Sequence, residues 1–169
     1  GTRVDLGRCA KVLADLSGSP ALDVGCGDGW TTAVLRSEYG LDCEGLTISR
    51  ADVDRARERG LEGIVHLGDM HALPWPDSSF KLIWCRHCLE HSPAPLIVLR
   101  EFRRVLKEHQ WLFIGMPLES GPWVEAPVHF WVPTRRQALA MFGFAGFRVV
   151  ESWDHPHGTG QQSYLLRRI

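Results

Sequence analysis

Apolar positions along the chain fall into short runs separated by glycine- and proline-bearing breaks, and their period alternates between that of a strand and that of a helix. Residues 3–16 carry Val4, Cys9, Val12, Leu13 and Leu16 at helical spacing, and Ser17-Gly18-Ser19-Pro20 ends that helix. A first strand is expected over 21–24, broken by the glycines of 25–29 and followed by a helix over 30–39. Residues 42–48 read as a second strand. Ser49 then caps a charged helix that Gly60 closes, with Asp52 three residues on to complete a capping box. A third short strand over 64–67 leads into a loop over 73–79. Residues 80–85 are apolar except for Lys81, the pattern of a strand buried on both faces. The helix predicted over 93–106 collects Val98, Leu99, Phe102, Val105 and Leu106 on one face, and 111–116 is a second buried strand. A long loop over 117–133 precedes a helix boxed by Thr134 and Gln137 and ended by Gly143, and strands over 147–153 and 161–167 finish the chain.

Strands alternating with helices predict an α/β fold with a parallel, doubly wound sheet. The last two strands have no helix between them and are expected to pair antiparallel at one edge, joined by the His155-Pro156-His157-Gly158 turn, whose histidines read as solvated. There is no internal repeat, so 1–169 reads as one domain. A 44% apolar content is enough for a sizeable core. Nineteen Lys and Arg against twenty Asp and Glu leave a net charge of −1, which gives bulk electrostatic recruitment of nucleic acid or an anionic membrane no support. No run reaches the ~20 apolar residues of a membrane span, and no leader pattern is seen. Five dispersed cysteines, an odd number, point to a reducing compartment, and a cytoplasmic protein is expected.

The segment Leu22-Asp23-Val24-Gly25-Cys26-Gly27-Asp28-Gly29-Trp30 is the most informative. Glycines after a first strand let the backbone approach a ligand, and the following helix start offers free N–H groups. A dinucleotide fingerprint needs Gly where Trp30 stands, and no Lys-Ser/Thr pair follows to make a phosphate-cradling loop. Read together with Leu67-Gly68-Asp69-Met70, Leu73-Pro74-Trp75-Pro76-Asp77-Ser78-Ser79-Phe80, Leu89-Glu90-His91 and the 99–107 helix, it resembles the class I S-adenosylmethionine-dependent methyltransferases. The likeness is to the broad group of ubiquinone/menaquinone and small-molecule enzymes. It is strong over about 20–116 and looser through Val128-His129-Phe130-Trp131-Val132-Pro133.

That resemblance implies a Rossmann-like three-layer sandwich around a seven-stranded sheet of order 3-2-1-4-5-7-6, strand 7 antiparallel. It divides the chain into a leading helix (1–19), a cofactor-binding half (20–116) and a substrate-side half (117–169). It implies S-adenosylmethionine as methyl donor and S-adenosylhomocysteine as product. Asp23 would hold the methionine amino group, often through water; Gly25, Cys26 and Gly27 would pass under the methionine and ribose. Asp69 would sit beside the adenine amine with Met70 near the ring, and Cys85 and Arg86 would lie by the methionine portion, backbone first. The plainer reading of Asp23 is a turn-stabilising carboxylate, and of Asp69 an Asx-turn or helix cap.

The sequence departs from the family in three places. Where the second strand usually ends in an acid that takes the ribose hydroxyls, Thr47 stands in Gly45-Leu46-Thr47-Ile48-Ser49, with Ile48 beside the site. Losing a charged acceptor costs roughly 1–3 kcal/mol of binding. The segment is similar to that of lipid-modifying cyclopropane synthases and sterol methyltransferases, and Asp52 is the candidate to help the ribose unless it is spent on capping. Lys81 replaces the usual Asp at the entry to strand 4, and Glu108-His109-Gln110 replaces a Pro-Gly-Gly turn, with His109 the residue able to adopt the left-handed conformation.

Methyl transfer from a sulfonium is an in-line displacement in which alignment supplies much of the acceleration. An acceptor that must lose a proton still gains from a base near neutrality, and His87, His91 and His129 fall beyond the carboxyl ends of the strands. His129 ranks first because its loop is placed to enclose substrate; the plainer readings are a solvated loop residue for His87 and a structural hydrogen bond for His91. Cys85-Arg86-His87-Cys88 with His91 has half the spacing of a zinc site, but no second ligand pair follows, so no metal is expected. Trp30, Trp123 and Trp131 are the tryptophans expected near the pocket. The function expected is methyl transfer to a small-molecule acceptor at O, N or C, with lipid or sterol carbon methylation and a non-catalytic methyltransferase-like subunit as alternatives. An N-terminal cap or a substrate domain is expected to be absent, trimmed away or supplied by another subunit, with a homodimer or partner subunit as the associated expectation.

Overall fold

The computed structural model describes residues 1–117, 126–155 and 160–169. The predicted alternation holds. Helix α1 (Thr2–Asp15) leads into β1 (Pro20–Val24), α2 (Trp30–Ser37), β2 (Asp42–Thr47), α3 (Arg50–Glu58) and β3 (Val65–Leu67). Strand β4 (Phe80–Arg86), a 3-10 turn (Leu89–His91), α4 (Pro95–Val105), β5 (Leu106–Pro117), α5 (Arg135–Phe144), β6 (Phe147–Asp154) and β7 (Gln161–Arg168) complete it. The seven strands lie in the order β3-β2-β1-β4-β5-β7-β6. All neighbours are parallel except β7, which is antiparallel to both β5 and β6.

Strand periodicity sorts the core into two layers. Leu22 and Val24 of β1 and Ile83 and Cys85 of β4 face α4 and α5, joining the core of Val98, Leu99, Phe102, Val105 and Phe142. Ala21, Leu82 and Trp84 face the opposite way, toward Leu6, Cys9 and Leu13 of α1 and Leu35 of α2. Trp84 stacks on Phe113 there, with ring centroids 3.7 Å apart. Of the two capping boxes read from the sequence, Thr134 and Gln137 form theirs in full, whereas at Ser49 only half forms: Ser49 Oγ accepts from Asp52 N, a cap worth ~1 kcal/mol, while the Ser49 N–H goes to Thr47.

Strand β5 begins five residues before the predicted start. Leu106 pairs with Phe80, and the register then shifts so that Leu82 meets Trp111. His109, at φ 58°, takes the left-handed conformation that the missing Pro-Gly-Gly turn would have provided. The second correction concerns His155, which is buried rather than solvated: its Nε2 lies 2.9 Å from both Ser163 Oγ and Asp5 Oδ1. Pro156, His157, Gly158 and Trp123 lie outside the described residues. No helix among the described residues is long and apolar enough to cross a membrane.

Candidate active site

Between β1 and β4 the sheet reverses its winding direction, and in open α/β sheets ligands bind outside the strand ends at such a point. A cavity of about 400 Å3 opens there. Its floor is Val24, Gly25 and Gly27; one side is Thr47 and Ile48 at the end of β2 with Asp52 of α3, and the far side is Asp69, Met70 and His71 after β3. His87, Cys88 and His91 close it after β4.

The two loop glycines have different reasons to be glycine. At Gly25, φ is +73° and a Cβ would stand 2.5 Å from Cys88 Sγ, so the protein itself excludes a side chain. At Gly27, φ is +56° and a Cβ would meet nothing within 4 Å. The space kept clear above Gly27 is cavity, a cradle that a side chain would fill.

Polar groups are placed along the cavity's length. Thr47 Oγ1 accepts from Ser49 N at 3.2 Å and donates to Asp52 Oδ2 at 3.3 Å. Because Thr47 takes Ser49 N, the Asp52 carboxylate is not spent on closing the capping box; it stays on the cavity wall, also paired with Arg55. Asp69 Oδ1 accepts from His71 N at 2.9 Å and faces His71 Nδ1 at 2.6 Å, and His71 Nε2 faces the buried Ser92 Oγ at 2.7 Å. The Asx turn and hydrogen bonds from His71 lower the Asp69 pKa. His71 was not expected: its role depends on Ser92, twenty-one residues away in sequence.

A second cavity, of about 240 Å3, shares His87 and His91 with the first and is otherwise lined by Glu90, Pro117, His129 and Gln161. The histidine rings of residues 91 and 129 meet edge to face, with centroids 4.9 Å apart. His87 sits at φ 50°, its N–H donating to Gly115 O, which turns the chain after β4 back toward the glycine loop. Residues 87, 91 and 129 therefore line one cavity.

Residues 22–114 match the family model described as methyltransferase domain. The chain belongs to that family, the class I S-adenosylmethionine-dependent methyltransferases. It is 31% identical over 153 residues to the 2-methyl-6-phytyl-1,4-hydroquinone methyltransferase of Synechocystis, an alignment covering 85% of this chain and 46% of that protein. The chain thus spans about half the length of that relative. Among solved structures, a sarcosine dimethylglycine methyltransferase from Galdieria sulphuraria superposes with a TM-score of 0.83 at 18% identity, covering 99% of this chain and 85% of that one. The 4+2 cyclase SpnF does so with 0.79 at 22% identity, covering 95% and 80%. At these identities the two structures establish the methyltransferase fold alone.

Four residues assigned from the family pattern stand off the cavity wall. Asp23 is 3% exposed and lies behind the glycine loop, where Thr32 Oγ1 donates to its Oδ2 at 2.8 Å. Burial raises its pKa to about 7, against the hydrogen bonds from Thr32. The Cys26 thiol turns into the small core of Ala56, Leu61 and Val65, so only its backbone belongs to the loop. Cys85 is fully buried in the main core because its side chain alternates away from the strand end. Arg86 turns to the opposite face, donating from Nε to Asp5 Oδ2 at 2.9 Å and from Nη2 to Gln161 Oε1 at 3.4 Å. Immediately after β4 the residues that line the cavity are His87 and Cys88. Trp30 and Trp131 are off it too: Arg3 lies over the Trp30 ring, and Trp131 lines a separate apolar hollow with Leu96 and Phe144.

Asp5 was missed as well. It is fully buried in α1 and accepts from Arg86 Nε, Trp153 Nε1 and Ser163 Oγ. A charged residue in the first turn of a helix ordinarily reads as a solvated dipole partner, and its three donors come from distant strands.

Proposed function

We propose that the larger cavity binds S-adenosylmethionine and that the chain transfers its methyl group to a small organic acceptor entering through the smaller cavity. The observation that carries this is the open space above Gly27, flanked by hydroxyl and carboxylate groups of Thr47 and Asp52 on one side and by Asp69 and His71 on the other. When bound, the cofactor supplies an electrophilic methyl on a sulfonium. Thr47 and Asp52 offer acceptors for the ribose hydroxyls in place of the missing strand-end acid. Asp69, kept ionised at neutral pH and oriented by His71, offers an acceptor for the adenine amine with Met70 against the ring. Gly25 and Gly27 bring backbone close to the methionine portion.

His87 and His91 belong to both cavities, which supports a role for them where methyl and acceptor would meet. With His129 they form the polar group available to take up or offset the proton that an O–H or N–H acceptor loses. Aligning the reactants across this shared wall supplies much of the acceleration. A small acceptor is supported by the size of the second cavity, and an organic rather than macromolecular one by the phytyl-bearing hydroquinone named for the Synechocystis relative. A reducing compartment is supported by four cysteines serving as buried packing groups.

The test is incubation with methyl-labelled S-adenosylmethionine and a small-metabolite extract. A labelled organic product with matching S-adenosylhomocysteine supports the reading. Cofactor binding with no acceptor labelled across hydroquinones, alkaloids and acyl lipids would replace it with a binding or cyclising role.

A further inference from the structure

One group in the smaller cavity is left unexplained by methyl-donor binding. Glu90 lies in the 3-10 turn, is 1% exposed, and lines that cavity. Its Oε1 faces His87 Nδ1 at 3.3 Å, while its Oε2, also buried, has no hydrogen-bond partner among the described residues. A buried carboxylate oxygen without a donor is rare in a native fold and calls for a positive charge or donor beside it.

Two imidazoles stand at the same place. Glu90, His91 and His129 each offer one ligand atom, and all three atoms lie within 4.8 Å of one another. His91 Nδ1 is 3.0 Å from the carbonyl oxygen of Val128, so Nδ1 carries the proton and the lone pair lies on Nε2. That is how a backbone carbonyl orients a metal-binding imidazole. The Glu90 carbonyl in turn accepts from Phe130 N at 2.8 Å and Trp131 N at 3.1 Å. These bonds fasten the segment bearing His129 to the turn bearing Glu90 and His91, although 38 residues separate the two histidines (129 less 91).

We propose that Glu90, His91 and His129 bind one divalent transition-metal cation, and that this cation holds the oxygen of a hydroxyl-bearing methyl acceptor. The acceptor half of the inference rests on the methyl-transfer reading of the adjoining cavity. Two imidazoles and a carboxylate suit Zn2+, Co2+, Mn2+ or Fe2+, whereas Mg2+ and Ca2+ favour oxygen sets. Ligand bonds of ~2.0–2.2 Å require the three donor atoms, which lie within 4.8 Å of one another, to draw closer on binding. Three protein ligands leave a coordination position open for the acceptor.

With the His91 and His129 lone pairs occupied by the cation, an acceptor hydroxyl held there gives its proton to solvent, more readily because the cation stabilises the oxyanion. The oxygen attacks the methyl carbon; the C–O bond forms as the C–S bond breaks, sulfur keeps the bonding pair, and the cation does not change oxidation state. The site thereby selects oxygen acceptors over carbon ones.

Cobalt(II) is the probe. The full chain is stripped with a chelator, titrated with Co2+ by calorimetry and visible d–d absorption, and separately titrated with S-adenosylhomocysteine. The expected result is one Co2+ per chain. Its affinity should fall about tenfold or more in Glu90→Gln and in His129→Ala and stay unchanged in His66→Ala, while adenosylhomocysteine binding persists in all. Equal Co2+ affinity in the wild type and both site variants overturns the site, as does a sulfur-to-cobalt charge-transfer band lost in Cys88→Ser. Failure of the wild type to bind adenosylhomocysteine overturns the methyl-transfer reading and with it the acceptor half, whereas failure to bind Co2+ overturns the cation site alone.

Discussion

Asp23 makes the stability of this fold depend on pH in a direction opposite to most carboxylates. Its folded pKa is raised from 3.8 to about 7 by burial, with the Thr32 hydroxyl its side-chain donor. The folded state therefore holds a proton that the unfolded chain releases, so the stabilising contribution is complete below about pH 4 and is lost as pH rises through about 7. A shift of about 3 units at ~1.4 kcal/mol each sets the whole effect at about 4 kcal/mol, of which about 3 falls between pH 5 and pH 8. Asp23→Asn keeps the shape and an acceptor for Thr32 but has nothing to titrate. Urea unfolding of both proteins at pH 5 and pH 8 isolates the effect, since every other titrating group is common to both. The wild type is expected to lose about 3 kcal/mol more than the variant over that interval. Equal losses in the two proteins would refute the reasoning, and a larger loss in the variant would reverse its sign.

Gly27→Ala should fold with a modest cost of about 1–2 kcal/mol from its left-handed φ, yet lose adenosylhomocysteine affinity because its methyl group enters the cavity. Thermal melting and calorimetry separate the two effects, and undiminished binding would contradict the cavity assignment. Gly25→Ala adds a 2.5 Å clash with Cys88 Sγ, so its melting temperature should drop further than that of Gly27→Ala. Asp5→Ala strands the largely buried Arg86 guanidinium and should destabilise by about 3–5 kcal/mol in denaturant unfolding; a loss below about 1 kcal/mol would make the pair dispensable.

The layered fold was legible because each of its strands and helices carries its own period and punctuation. Strand order came with the family motifs, and the structure reproduces it. What the sequence concealed were side-chain directions at strand ends. The position after β4 reads as Cys85 and Arg86, backbone first; of their side chains, alternation buries the first and the Asp5 carboxylate draws away the second, and the side chains on the wall are those of His87 and Cys88. Asp52 illustrates the converse: cap and ligand group were equally readable until Thr47 was seen to take the Ser49 N–H. His71 carries no local signal, because Ser92, which gives it meaning, is brought near only by the fold, and Glu90 stands in a family motif but meets His129 only through the fold.

The central claim is that the cavity over Gly27 is a methyl-donor site. Calorimetric titration of the wild-type chain with S-adenosylhomocysteine, alongside Gly27→Ala, tests it most directly. Saturable binding at one site per chain, weakened in the variant while its fold survives, is the result predicted; absence of binding to the wild type at millimolar ligand would contradict it.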